Sequence, residues 1–416
     1  MSASKWKQYT EYRVIQHAGI DKIPNHWVSK RMRYVFRERG EVSEDGTEEL
    51  LSVSKYTGVR IRSTTTDREA RATSLVGYKK CEPNDIVSNI MLAWDSALGV
   101  AFDSGIVSSA YEVYVPQQEI DPHFLDLLLR TPEYRVAFTI VSKGIVPSRW
   151  RMYTESFNDM QMILPSLREQ KQIGKFVHQI DENISNNIQN LTTQISLLEE
   201  KRSTLIKQAV TKGLNLDISM KDSGIEWLGL VPSHWNLKRM RFLCDITTGG
   251  GNTEDAVEEG DYPFFVRSPH VKRISTYSFD GEAVLTSGDG AGVGKIYHHY
   301  IGKLDFHQRV YLFSNFKGIS GRLFYHYLKE NLETVVLSLS AKSTVDSIRL
   351  PMLQNFTIAF GSKEEQLEIL NQLERVNDLT SALVDKIRTY IQLLKEYRTA
   401  LISAAITGKI DVRGQA

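Results

Sequence analysis

The chain spells one long amphipathic helix twice, at Ser166–Gly213 and at Ser362–Lys409. Shifted by 196 residues, the two copies align without a gap and agree at 15 of 48 positions. Both open with Ser-x-x-Glu (Ser166/Glu169 and Ser362/Glu365). That is a capping box, in which the Ser oxygen accepts an orphan backbone N–H and the Glu side chain reaches back. An apolar seam follows in register. The first copy reads Ile173, Val177, Ile180, Ile184, Asn187, Leu191, Ile195, Leu198, Arg202, Leu205, Ala209. The second reads Ile369, Leu373, Val376, Thr380, Leu383, Ile387, Ile391, Leu394, Arg398, Leu401, Ala405. Steps of three and four put these residues on one helix face. About 45 residues at 1.5 Å each make a rod of roughly 65 Å. Neither copy can bury its stripe alone, so the two are expected to pack on each other as a coiled coil, parallel or antiparallel. A seam residue fully buried there contributes on the order of 1.5–3 kcal/mol before the cost of ordering the chain. Arg202 and Arg398 interrupt the seams at matching places. Either they pair with Glu396 and Glu200 across the rods, or they face a partner protein.

A second repeat has a different offset. Pro24–Val35 and Pro232–Leu243 share seven of twelve residues at a shift of 208, including the His-Trp pairs His26-Trp27 and His234-Trp235. The first globular region is therefore 12 residues longer than the second. Long-period duplication decides the architecture before any local motif does. The order is an arm at 1–22, a globe at 23–165, a helix at 166–213, a linker at 214–231, a globe at 232–361, and a helix with its tail at 362–416. The linker ends Ser-Gly-Ile-Glu-Trp-Leu-Gly-Leu-Val-Pro, and the arm carries a degraded counterpart, Ala18–Pro24. The end of helix two would thus feed globe one as helix one feeds globe two. That predicts a pseudo-twofold repeat with the two termini near each other.

Each globe reads as mixed α and β, so the fold class is α+β. In the first, Leu51–Ser54, Asp85–Met91 and Ala110–Val115 look like strands and Pro122–Arg130 like a helix. In the second, Tyr262–Val266, Glu282–Leu285, Gly294–Tyr297 and Arg309–Phe313 look like strands and Leu323–Asn331 like a helix. The globes share their opening and closing segments and little between. One scaffold with two different middles suggests one task performed on two different targets.

At 416 residues the chain exceeds one ordinary core. No run of 18 apolar residues marks a membrane span, and the first residues lack the apolar region of a signal peptide. Two cysteines, Cys81 and Cys244, make no disulfide framework and fit a reducing cytoplasm. The net charge of +1 favours no partner by itself.

No active site is legible. Gly290–Lys295 lacks the Gly and Ser/Thr of a phosphate loop, since Asp289 and Ile296 stand at those places, and reads better as a strand-turn-strand hairpin. His298, His299 and His307 have no Cys or carboxylate at ligand spacing and read as polar loop residues. Glu82–Asp85 is a turn, not the catalytic tetrapeptide of an amino-methyltransferase. Glu199-Glu200-Lys201 is a solvated helix face. The recurring Trp reads as a packing anchor. Basic residues do cluster. Globe one carries Arg60, Arg62, Arg68, Arg71, Lys79 and Lys80, then Arg149 and Arg151 beside Trp150 and Tyr153. Globe two carries Arg267, His270, Lys272, Arg273, Lys295, Lys303, Arg309, Lys342 and Arg349. Such groups neutralise phosphates, and Arg grips guanine through two hydrogen bonds. Each globe is expected to present one basic, DNA-facing side.

Taken together, these residues resemble the specificity subunits of type I restriction–modification enzymes over nearly the whole chain. The carriers are the paired segments Ile23–Trp27 and Val231–Trp235, Ser223–Gly229, Leu51–Ser54 with Gly58-Val59, Asn89–Gly99, Gly105–Tyr111, and the exit Ile163–Gln170 into the long helix. Globe two departs at its exit, Phe360–Gln366, which lacks the usual Pro, and at Thr248–Thr253, where a Gly-x-Thr-Pro turn is common. The resemblance implies two target-recognition domains, each reading half of a bipartite, asymmetric site in double-stranded DNA through the major groove. The helices would be a spacer. The chain would be non-catalytic and would bind no cofactor. Two modification subunits would use S-adenosylmethionine to methylate adenine, and two restriction motor-nuclease subunits would use ATP and Mg. A stand-alone split-site DNA-binding regulator, a coiled-coil adaptor without a DNA role, and a methyltransferase in its own right are the competing readings.

Overall fold

The computed structural model describes residues 6–64, 74–146, 149–290, 293–340 and 347–414. The chain divides into two compact units, Met1–Asn190 with Tyr390–Ala416, and Leu191–Thr389. Each unit holds one globe and a part of each long helix. The helices run Leu167–Lys212 and Lys363–Ile406. Both start on the expected Ser: the N–H groups of Glu169 and Glu365 donate to Ser166 Oγ and Ser362 Oγ at 3.3 Å. In the second copy Glu365 also accepts from the Ser362 N–H at 3.1 Å, completing the box.

The two units repeat one frame. The strand after the His-Trp pair hydrogen-bonds to the strand before the long helix, Val28–Arg31 with Gln161–Leu164 and Asn236–Arg239 with Thr357–Phe360. The register is equivalent, Val28 opposite Leu164 and Asn236 opposite Phe360. The missing Pro at the second exit therefore leaves the pairing intact. Trp27 and Trp235 are buried. The capping-box Glu binds them: Glu169 accepts from Trp27 Nε1 at 3.1 Å and Glu365 from Trp235 Nε1 at 3.3 Å. His26 and His234 lie 2.9 and 2.8 Å from the same carboxylates. The next residue is a second tie. Gln170 Oε1 accepts from the Asp121 N–H and Gln366 Oε1 from the Ser320 N–H, at 2.8 and 3.0 Å. Those two residues stand at the start of the helices Pro122–Leu129 and Gly321–Ser340. Buried Tyr134 and Tyr327 close the frame by accepting from the Ile163 and Ala359 N–H groups.

Within each unit the long helices pair antiparallel. In the first unit Ile173 and Val177 share a core with Leu401 and Ala405, and Arg398 reaches Asp181 at 3.3 Å. In the second, Ile206 and Ala209 share a core with Ile369 and Leu373, and Arg388 approaches Glu199 at 3.9 Å. Arg398 thus pairs with Asp181 rather than Glu200, and Arg202 forms no ion pair among the described residues. Of the expected seam, Leu401 is buried, and Ile180, Leu191, Ile195, Leu198, Val376, Ile387, Ile391 and Leu394 are half-buried. Leu205 and Leu383 are exposed instead, and Ile206 and Val384 are buried in their place. A seam written in strict three-and-four steps drifts against a helix of 3.6 residues per turn. Near those positions the covered face has moved on by one residue.

Globe one holds a four-stranded antiparallel sheet in the order Phe36–Glu38, Tyr111–Pro116, Ile86–Asn89, Leu98–Val100. Globe two holds a six-stranded sheet in the order Asp245–Thr248, Val310–Ser314, Phe279–Ser287, Tyr297–Phe306, Tyr262–Phe265, Lys272–Ile274. Its first four strands follow the same order and connectivity as those of globe one. Of the stretch 290–295, residues 291 and 292 lie outside the described residues, and Gly290 and Val293–Lys295 lie between the antiparallel strands Phe279–Ser287 and Tyr297–Phe306. His298 and His299 stand on the second of these strands, not in a loop, and the strand begins at Tyr297 rather than Gly294. Residues 12–24 form a hairpin, Tyr12–His17 with Ile20–Pro24, which takes in the second half of the expected arm at 1–22 and the first two residues of globe one. The equivalent pairing in the second unit is Met220–Asp222 with Leu230–Pro232. Arg13 donates to the Trp27 carbonyl and Lys221 to that of Trp235, at 2.7 and 2.6 Å. The tail returns to this hairpin: the Asp411 N–H donates to the Lys7 carbonyl at 2.7 Å, and Tyr12 Oη to the Lys409 carbonyl at 3.2 Å. Each helix ends at a left-handed glycine against a Trp ring, Gly213 beside Trp235 and Gly408 beside Trp27. That backbone conformation is the one only glycine adopts freely.

Cys81 and Cys244 are buried and unpaired. Burial pushes the Cys244 thiol up to about 12, and that of Cys81 up as well. Among the described residues no helix is long and apolar enough to cross a membrane, and no group of three or more His, Cys, Asp and Glu is placed to hold a metal ion.

Candidate nucleic-acid interface

In globe one the basic residues picked out from the sequence separate into distinct environments. Arg60, on the strand Gly58–Ile61, lies over the Phe102 ring at 5.6 Å. Its Nη1 donates to the Val59 carbonyl at 2.6 Å. Arg62 is half-buried just beyond that strand. Lys79 and Lys80 sit on Lys79–Cys81 and are held by carboxylates, Lys79 by Glu112 and Lys80 by Glu48 at 3.1 Å. Their charge is met within the globe, so they are poorer phosphate ligands than their spacing suggested. Arg149 is exposed, while Arg151 turns Nη1 onto the Trp150 carbonyl at 2.9 Å. Trp150 meets Trp94 edge to face at 5.5 Å. Arg68 and Arg71 lie outside the described residues.

A second basic group in this globe was not legible in the sequence. Asp95 holds Lys55 at 2.7 Å and Arg135 at 2.5 Å. Nearby, Arg130 pairs with Asp126 at 3.3 Å and donates to the Tyr56 carbonyl at 2.5 Å. Lys55, Tyr56, Asp95, Arg130 and Arg135 line one concave surface, and Tyr56 is exposed. These residues are dispersed along the chain, and only the fold brings them together.

In globe two the structure gathers part of the expected set. Arg267 and Arg309 both close on Asp289, one on each carboxylate oxygen, at 2.9 and 2.8 Å. The carboxylate comes from the connection after Phe279–Ser287, and Arg309 from the turn before Val310–Ser314. A backbone bridge from Asp289 to Ser347, with the Ile348 N–H on the Gly288 carbonyl at 2.8 Å, brings the segment leading to exposed Arg349 alongside. His307 is buried beneath, and its Nδ1 accepts from the Arg309 N–H at 3.0 Å. Burial and the two neighbouring guanidinium groups hold this imidazole below its ordinary pKa. Gln308 donates to Asn252 Oδ1 at 2.7 Å, adding two amide side chains to the same rim. His270, Lys272 and Lys295 are exposed. Arg273 is instead turned onto the Gly260 and Asp261 carbonyls at 2.9 and 3.0 Å, and Lys303 lies over the Tyr277 ring at 4.5 Å. Lys342 lies outside the described residues. His299 pairs with Glu282 at 2.9 Å and His298 packs on Phe265, both local roles.

This arrangement can donate hydrogen bonds and positive charge to an acidic, hydrogen-bond-accepting surface. The family described as "Type I restriction modification DNA specificity domain" matches residues 232–393. The chain is 27% identical over 182 residues to the type I restriction enzyme EcoDI specificity subunit of Escherichia coli, covering 44% of this chain and 40% of that one. It is 26% identical over 437 aligned positions to the type I restriction enzyme MjaVIII specificity subunit of Methanocaldococcus jannaschii, covering 97% of each. Among solved structures, it shares its fold with a chain from a type I R-M system study of complex assembly and conformational transition. That match has a TM-score of 0.63, with 18% identity over 93% of this chain and 99% of that one. The HsdS subunit of Thermoanaerobacter tengcongensis matches with a TM-score of 0.56 and 17% identity, over 95% and 100%.

Proposed function

We propose that the chain is a type I restriction–modification specificity subunit, the DNA-recognition subunit of such a complex, as its similarity to the DNA specificity domain family over residues 232–393 and to a specificity subunit over 97% of its length supports. Its globes, at 23–165 and 232–361, each read one half of a bipartite, asymmetric site in double-stranded DNA. The long helices fix the gap between the halves. The chain carries no reaction itself and acts in the cytoplasm. Two modification subunits dock on it and transfer a methyl group from S-adenosylmethionine to adenine. Two motor-nuclease subunits, using ATP and Mg, join for restriction.

The observation that supports this most is the repeated frame with unlike contents. The entrance strand, the exit strand, the buried Trp and the Glu and Gln ties recur in both units. The cationic side chains of the basic surfaces do not. One surface is built on Asp95 with Lys55 and Arg135, the other on Asp289 with Arg267 and Arg309. A frame that is kept while its reading surface changes suits a protein that presents two different readers in one way.

The test is purification of the full chain from its host. It should bring down a methyltransferase subunit, and the complex should bind duplex DNA with an affinity that falls steeply as salt rises. A chain recovered alone that binds a split site unaided is a stand-alone regulator. A chain with no salt-dependent DNA binding in any complex overturns the reading.

A further inference from the structure

The two carboxylates that organise the basic surfaces occupy the same place in the two sheets. Asp95 lies in the connection from Ile86–Asn89 to Leu98–Val100. Asp289 lies in the connection from Phe279–Ser287 to Tyr297–Phe306. By sheet order these are equivalent connections, although the surrounding sequences differ. Each Asp grips two cationic side chains contributed by distant segments.

The geometry in globe two is the more informative. Arg267 and Arg309 each give only Nη1 to Asp289, one per oxygen. The rest of each fork has no other side-chain partner among the described residues. Their side chains remain 38% and 55% exposed. The main chain of Asp289 is itself fixed, by the bridge to Ser347 and by Ser287 Oγ donating to the Asp289 carbonyl at 3.0 Å. Two guanidinium groups on one carboxylate leave a net positive charge. An arginine held by one nitrogen keeps its planar fork available, and its long side chain has less freedom left to lose on binding.

We propose that Asp289 is a positioning residue that presets Arg267 and Arg309 to read guanine, through its O6 and N7 in the major groove, within the half-site recognised by globe two. This rests on the reading of the chain as a specificity subunit. Guanine is the base whose paired acceptors match an arginine fork. Phosphate contact alone would need the charge but not the fork, and that difference is testable.

The experiment uses the full chain with its modification subunits, mapping methylated adenines at base resolution and measuring DNA binding against salt. Arg267→Lys and Arg309→Lys keep the charge and remove the fork. Each should relax one guanine position in one half-site by about five- to hundred-fold, with the other half-site and the salt slope unchanged. Asp289→Asn should relax the same positions while Asp95→Asn leaves them alone. Methylation that falls equally at all sites with every letter kept means that the trio is structural or contacts only phosphate, and overturns the proposal. If the unaltered chain directs no split motif, the failure lies in the reading beneath it.

Discussion

Glu169 and Glu365 show how one residue type at one repeated position carries unequal weight. Their role at the helix start was legible, because Ser-x-x-Glu is a local pattern. Their hold on the His-Trp pairs was not, because those partners lie 143 and 131 residues away in the chain. Glu169 is almost wholly buried and also accepts from Tyr9 Oη at 2.7 Å, whereas the Glu365 side chain is 35% exposed. Removing Glu169 strands a buried phenol and a buried indole N–H, at a cost of roughly 3–5 kcal/mol. Removing Glu365 strands one buried N–H, that of Trp235, and strands no buried phenol, while His234 stays open to water, at a cost of about 1–2 kcal/mol. Denaturant midpoints of Glu169→Ala and Glu365→Ala should therefore differ clearly, and equal losses would contradict this account. Burial pushes the Glu365 carboxyl up, but hydrogen bonds from His234, the Ser362 N–H and Trp235 outweigh it and hold it below the usual carboxylate range. Its stabilising contribution is thus complete above the ordinary carboxylate pKa of about 4.3 and is lost as pH falls through its lower folded value. The basic residues taught the opposite lesson. Lys79 and Lys80 stood out by spacing, yet Glu112 and Glu48 occupy them; Lys55 and Arg135 gave no local signal, yet Asp95 unites them.

At the scale of elements, the long helices were the most legible part of the chain. A seam of eleven positions written twice leaves little choice, and its burial follows the expected face except at exposed Asn187 and where Ile206 and Val384 replace Leu205 and Leu383. The direction of pairing was open, since an apolar stripe is blind to polarity. The shared cores of Ile173 with Leu401, and of Ile206 with Ile369, make it antiparallel. If the helices fix the gap between half-sites, their length is a dial. Four residues inserted into one of them add about 6 Å and slightly more than one turn, which nearly preserves the apolar face. A methylation map of that variant should show a gap changed by one or two base pairs with both sets of letters kept. An unchanged gap with altered letters would rule the spacer out.

For the whole molecule, the duplicated order of globe and helix and the return of the tail to the start were readable from two offsets, 196 and 208. The contact of Asp411 with Lys7 realises that circular logic inside the first unit. The middles of the globes were not readable in the same way. The hairpin in residues 12–24 and the six-stranded sheet of globe two depend on pairings between distant segments, which short apolar runs do not specify. The central claim is that each globe supplies one half of a DNA specificity. Its most direct test is a base-resolution map of adenine methylation in host DNA, taken with the gene, without it, and with residues 24–165 replaced by those of a relative. The account predicts a split motif that disappears on deletion, returns on restoration, and changes in one half alone after the replacement. A motif that persists without the gene, or a replacement that alters both halves together, would contradict it.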